Sequence, residues 1–267
     1  CLTIINGVFR WAQAMGMLEG ENPADKRGAL GVLLENLSPH VKQPRNMGAL
    51  DPEEMPEFFC ELMNWGTIAS KAFAFAILTA SRSKAVRTAR WSDIDLEAGT
   101  WTCPESAMKV KGRGIFVVLL STAAIRLLKS LPRMANTDLV FPSPYQHKVM
   151  SDTGLGQIVG DMNEQAKRQG LPLWLDKAQT ETLGKDIRIT VHGTSRATFK
   201  TWTKMDANLK RFDRDAVELC LAHKLDDGYG GAYDRAAMLE ERRRIMDAWG
   251  EFCCSKLNQP AKLRRKG

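Results

Sequence analysis

Two β-rich runs, TWTC at 100–103 and GIFVVLL at 114–120, flank a polar, glycine-containing loop in a chain whose other apolar residues recur mostly at helical spacing. Such a pair specifies a hairpin. One hairpin among helices restricts the fold to a mostly α protein with a small antiparallel β-sheet, an α+β class. The helical pattern predicts helices at about 122–131, 151–164, 194–205, 213–222 and 236–252, and over most of the stretch from 51 to about 90. At DPEEMPEFF, Asp51 can cap a helix, Pro52 suits a first position where its missing N–H costs nothing, and Glu54 can close a capping box.

Leu2, Ile5, Val8, Phe9 and Ala12 form an apolar stripe that begins in mid-element, which predicts a piece of a longer chain. GENPADKRG ends that helix, a short second one follows around 28–37, and SPHVKQPRNMG reads as a polar, proline-bearing connector. The expected division is therefore 1–45 and 46–267, with KLRRKG as a basic tail. At 267 residues and 44% apolar content the chain can bury a core unaided.

Cys1, Cys60, Cys103, Cys220, Cys253 and Cys254 include no Cys-x-x-Cys pair, and no histidine is spaced to complete a metal site. No metal, cofactor or disulfide framework is expected, and the compartment reads as reducing and intracellular. The longest apolar run, AFAFAILTA at 72–80, is half of the roughly 18 residues a membrane span requires, and no leader pattern is present, so no membrane partner is expected. A net charge of +7 points to an anionic partner, nucleic acid ahead of acidic lipid.

Four separated stretches carry candidate chemistry. LTASRSKAVRTARWSDIDLE holds Arg82 at the end of an apolar helix, where a partly buried guanidinium needs an anion. AMKVKGRG puts Lys109 and Lys111 in the hairpin loop. ITVHGTSRATFKTW sets His192 and Arg196 four apart, on one face of a helix or across its first turn. LAHKLDDGYGGAYDR brings His223 within ten residues of Tyr233, in a chain with three tyrosines and four histidines.

In order, spacing and context, these stretches resemble the tyrosine recombinases, the phage integrase family, in the form carried by prophages and genomic islands. TASRSKAVRTARWSDIDLE is similar to the family's first arginine box, WTCPESAMKVK to its lysine hairpin, VHGTSRATF to its histidine–arginine box, and ELCLAHK with GGAYDRAAMLEERRRIMDAW to its nucleophile box. The resemblance implies the family's catalytic-domain fold, with residues 1–45 as the C-terminal remnant of its helical core-binding domain. It implies cleavage and rejoining of double-stranded DNA through a 3′-phosphotyrosyl link, in integration or excision of a mobile element in the bacterial cytoplasm at the nucleoid. It also implies a tetramer on DNA and a monomer or weak oligomer without it.

By that resemblance Tyr233 is the nucleophile, and a phenolate suits the task because it can attack phosphorus and later be displaced. Arg82 and Arg196 clamp the non-bridging oxygens, Lys109 protonates the leaving 5′-oxygen, His192 takes the tyrosine proton or orients the phosphate, and His223 donates a further hydrogen bond. Lys111 stays open as the general acid and Tyr229 as the nucleophile. Lys111, Arg113 and Lys200 are candidate DNA contacts. EERRR at 240–244 reads as a solvated helical face with Glu-to-Arg pairs, Met238, Ile245, Met246 and Trp249 as core or partner-binding positions, and the last helix, with Trp249 and Phe252, as a piece able to dock on a neighbouring protomer.

The sequence departs from the family pattern twice. Ala85 stands where the family carries Glu three residues after the first arginine, and the second box has one residue more than His-x-x-Arg. Two other readings stay open: a type IB topoisomerase, with a similar residue set, and a noncatalytic DNA-binding module with the same fold.

Overall fold

The computed structural model describes residues 2–25, 27–36, 47–104, 107, 116–143, 148–223 and 238–257. Contacts divide the chain into two compact units, Cys1–Asn46 and Met47–Gly267. In the first, α1 (Leu2–Ala14) and α2 (Ala29–Asn36) form, and Asn22 Nδ2 donates to Asn6 Oδ1 at 3.0 Å. No residue of α1 is buried, and Val8 and Trp11 of its apolar residues stand well exposed.

The second unit is built around α4 (Ile68–Leu78), in which Ser70 and every residue from Ala72 to Leu78 are buried. Such all-round apolarity suits a helix with neighbours on every side. Those neighbours include α3 (Met55–Asn64), α5 (Ser83–Arg87), α6 (Thr122–Lys129) and α7 (Asp152–Arg168). Side-chain oxygens of Thr67, Ser121 and Ser151 cap α4, α6 and α7, each accepting from the N–H three residues on.

At 51–59 the helix starts with a 3-10 turn at Pro52–Glu54, and Asp51 accepts from Glu53 N–H at 3.0 Å. Glu54 closes no capping box. Its carboxylate pairs with Lys177 at 3.0 Å, at the start of α8 (Lys177–Leu183), which lies far along the chain and outside any local pattern.

The hairpin is present. Strands β2 (Thr100–Cys103) and β3 (Phe116–Leu119) pair antiparallel, with Trp101 opposite Val118, and the two-residue β1 (Ile94–Asp95) adds a third strand in the order β1-β2-β3. Trp101 and Cys103 point inward and Thr100 and Thr102 outward, the period-2 alternation of a half-buried strand. The fold is therefore mostly helical with a small antiparallel sheet.

The chain continues through α9 (Thr198–Trp202), α10 (Asp206–Leu209), α11 (Arg214–Cys220) and α12 (Leu239–Cys254). The last helix decides one open reading and corrects another. Ile245, Met246, Trp249 and Cys253 are buried within the unit, and Trp249 Nε1–H donates to Ile77 O at 2.8 Å, so this face already has its cover. Trp202, Phe212, Trp249 and Phe252 form one aromatic cluster.

Nor is EERRR uniformly solvated. Arg244 pairs with Glu241 at 2.7 Å as expected. Arg242, however, is buried, donates to Val117 O at 2.7 Å and lies over the Phe116 ring, because its position on α12 turns it onto β3. No helix among the described residues is long and apolar enough to cross a membrane, and Cys60, Cys103, Cys220, Cys253 and Cys254 are free thiols.

Candidate active site

Arg82, His192, Arg196 and His223 line one cleft of about 570 Å³, together with Lys84 and Lys200. Lys109, Lys111, Arg113, Tyr229 and Tyr233 lie outside the described residues. Ala107, two residues before Lys109, does line the cleft. Among the described residues, then, the structure brings together the two arginines and the two histidines singled out from the sequence, with Lys200 beside them.

Two helix ends of one design position the site. At the end of α4, Ser81 N–H bonds Ala76 O at 3.0 Å and Ala80 N–H bonds Ile77 O at 3.1 Å. At the end of α11, His223 N–H bonds Glu218 O at 3.0 Å and Ala222 N–H bonds Leu219 O at 3.0 Å. This is the Schellman pattern, whose C′ residue must be left-handed and is commonly glycine. Here alanines hold the position, Ala80 at φ 48° and Ala222 at φ 52°. Arg82 follows the first turn, at the N-cap of α5, and His223 follows the second directly.

The guanidinium of Arg196 closes the gap between these turns. Its NH1 donates to Ala80 O at 3.0 Å and its NH2 to Leu221 O at 2.8 Å, while Ser195 Oγ donates to Ser81 O at 3.0 Å. NH2 also lies 2.8 Å from His223 Nε2. Since a guanidinium only donates, Nε2 is the acceptor and the ring proton sits on Nδ1, which donates to Glu218 Oε2. His223 can therefore donate to a phosphate through Nε2 only by gaining a second proton.

The extra residue of the second box has a structural counterpart. Gly193–Ala197 forms a single π turn, with Thr198 N–H bonding Gly193 O, inside a segment that is α-helical on both sides. A π turn absorbs one inserted residue without changing the register of the flanking helix. His192 lies exposed at its start and Arg196 is 7% exposed within it, and both line the cleft. Thr194, inside the same turn, is wholly buried and its hydroxyl has no hydrogen-bond partner among the described residues. Gly193 is required by close approach: a Cβ there would run into the carbonyl of Gly48.

The electrostatics suit an anion. Burial, and then the like charge of Arg82, push Arg196 down to about 9, with Glu218 pulling the other way, so it stays protonated at neutral pH. Burial also lowers His223, opposed by its hydrogen bond to Glu218 and reinforced by the charge of Arg196. Burial alone would raise Glu218, yet the hydrogen bonds from Lys200 and His223 bring it below the ordinary carboxylate value. Lys200 Nζ stands 2.7 Å from Glu218 Oε1.

Glu218 is the residue that sequence reasoning passed over. Its one signal is a spacing of five before His223, which becomes meaningful only once the chain turns back at Ala222. Ala85, buried on α5, lines a small pocket behind Arg82 and Arg196.

No protein-family model matches the chain. Among curated proteins it is 25% identical over 260 residues to the putative protein IntB of Escherichia coli, covering 92% of this chain and 58% of that protein. It is 25% identical over 263 residues to the integrase of Enterobacteria phage P4, covering 93% and 53%. Among solved structures, the Tn1549 transposon integrase in complex with transposon right end DNA superposes with a TM-score of 0.55 at 14% identity, covering 90% of this chain and 77% of that one. The chain is a phage-integrase relative with the tyrosine recombinase fold.

A lambda integrase tetramer bound to a Holliday junction also superposes, with a TM-score of 0.53 at 15% identity over 85% of this chain and 56% of that one. This integrase relative spans about half the length of the curated proteins it matches.

Proposed function

We propose that this integrase relative is the strand-cleaving part of a site-specific DNA recombinase. The observation that carries the reading is the convergence of Arg82, His192, Arg196 and His223 on one cleft, from three separate parts of the chain. Two guanidiniums in one partly closed site suit a phosphate whose charge spreads over its non-bridging oxygens in the transition state. The names of the relatives, and the DNA complexes formed by proteins of the same fold, support DNA as the substrate.

In this reading Tyr233 Oη attacks phosphorus, forming the phosphotyrosyl bond as the bond to the 5′-oxygen breaks. The phenolic proton passes to His192 and the leaving oxygen takes one from Lys109, with Lys111 the rival donor. A partner strand's 5′-hydroxyl then reverses the chemistry, within a tetramer on DNA. Lys111, Arg113 and Lys200 contact the duplex. Residues 1–45 are the end of a helical core-binding domain, 46–267 are the catalytic domain, and the protein works on bacterial DNA at the nucleoid.

A suicide substrate nicked near the cleavage site tests this. The wild-type chain is expected to trap a covalent protein–DNA adduct and Tyr233→Phe none. An adduct that persists in Tyr233→Phe and disappears in Tyr229→Phe reassigns the nucleophile. Relaxation of supercoils without sequence preference favours the topoisomerase reading, and DNA binding with no adduct favours the noncatalytic module.

A further inference from the structure

Glu218 has no part in the chemistry proposed above, yet it sits at the junction of three groups of the cleft. The Schellman turn at Ala222 folds the chain back so that His223 N–H bonds the carbonyl of Glu218 itself. One carboxylate oxygen accepts from His223 Nδ1–H and the other pairs with Lys200 at 2.7 Å. His223 Nε2 in turn lies 2.8 Å from Arg196 NH2. The result is a continuous line, Lys200–Glu218–His223–Arg196, drawn from α9, α11, the turn after it and the π turn.

We infer that Glu218 is a positioning residue for strand cleavage: by holding the proton of His223 on Nδ1 it presents Nε2 to Arg196 and so fixes the guanidinium that binds the phosphate. This rests on the proposed recombinase reading. A carboxylate suits the position because it only accepts, and both of its neighbours here are donors. Which nitrogen of a histidine faces a site is set by the bond the other nitrogen makes. Besides Glu218, the charged and titratable groups around His223 among the described residues are Arg196, in contact with it, Lys200, held on the other oxygen of Glu218, and Arg82, Lys84 and His192, which line the same cleft.

Glutamine has nearly the same shape, but at 218 it would have to turn its amide N–H toward either Lys200 or His223. The first choice opposes two donors. The second needs Nδ1 unprotonated, which moves the ring proton to Nε2 and aims it at the Arg196 N–H. One link breaks in either case.

The test is Glu218→Gln in this chain, read three ways. Adduct formation on the nicked substrate is expected to slow about 10- to 100-fold, the scale of losing an orienting partner, with DNA affinity unchanged. Ring-nitrogen NMR of the protein alone is expected to find His223 protonated on Nδ1 in the wild type and shifted toward Nε2 in the variant. In a His223→Phe background, Glu218→Gln is expected to cost nothing more, because the two act as one unit.

An unchanged tautomer and rate in Glu218→Gln overturns the inference, as does a loss that adds in full to that of His223→Phe, which would mark a merely structural role. A wild-type chain that forms no adduct instead sinks the recombinase reading, and the tautomer comparison still decides whether Glu218 orients His223.

Discussion

Arg196 was singled out by its spacing of four from His192 and by the resemblance of VHGTSRATF to the family's second box, and the spacing left open whether the pair shares a helical face or straddles a first turn. What spacing could not reveal is how the backbone accommodates a residue too many. An insertion can be looped out, can rotate everything beyond it, or can be absorbed in a π turn, and only packing decides among these. Here Gly193 lies against Gly48, and Ser195 and Arg196 are anchored to Ser81 and Ala80, so both sides of the insertion are pinned. Thr194 is left inside with a buried hydroxyl that bonds nothing among the described residues. Removing that hydroxyl at nearly constant shape, as Thr194→Val, is expected to stabilise the fold by about 1 kcal/mol in urea denaturation, since an unsatisfied buried group costs that or more.

Among the elements, those with strong local signals were found and those set by tertiary contact were not. The hairpin and the longer helices follow from periodicity, as at Trp101 and Cys103 in β2 and throughout α4. Two-residue β1 and four-residue α10 are too short to carry a period, and α8 lies in a stretch to which the pattern assigned no element. The Schellman ends of α4 and α11 were hidden for a different reason: alanine has no preference for the left-handed region, so neither Ala80 nor Ala222 marks a turn in the sequence. Each conformation costs about 1–2 kcal/mol for a residue with a Cβ, against about 0.5–1 kcal/mol of added unfolded-state entropy for glycine. Ala80→Gly and Ala222→Gly are therefore each expected to be neutral or stabilising by up to about 1 kcal/mol, read as a Tm raised by up to about 2–4 °C.

Over the whole molecule, the order, spacing and context of the candidate residues carried the resemblance that anticipated the fold, and the structure collects Arg82, Arg196 and His223 by bringing the ends of α4 and α11 to the π turn. For α12 the sequence left core and partner-binding readings open. An apolar face on a last helix looks the same in sequence whether it covers its own core or a partner, and here Trp249 fills the centre of an aromatic cluster and bonds the carbonyl of Ile77. Trp249→Ala is accordingly expected to lose about 3–5 kcal/mol, the scale for a buried tryptophan truncated in a packed interior, and to do so equally at dilute and concentrated protein. A loss that depended on protein concentration would mean the helix serves an interface instead.

The two carbonyls that Arg196 engages, on Ala80 and Leu221, belong to turns far apart in the polypeptide and close in space. One guanidinium thus serves as the rivet that fastens two ends of the scaffold, and it does so from the wall of the cleft. In the proposed recombinase reading, the contacts that complete folding also set the group that would meet the phosphate, so a substitution at Arg196 would disturb both at once.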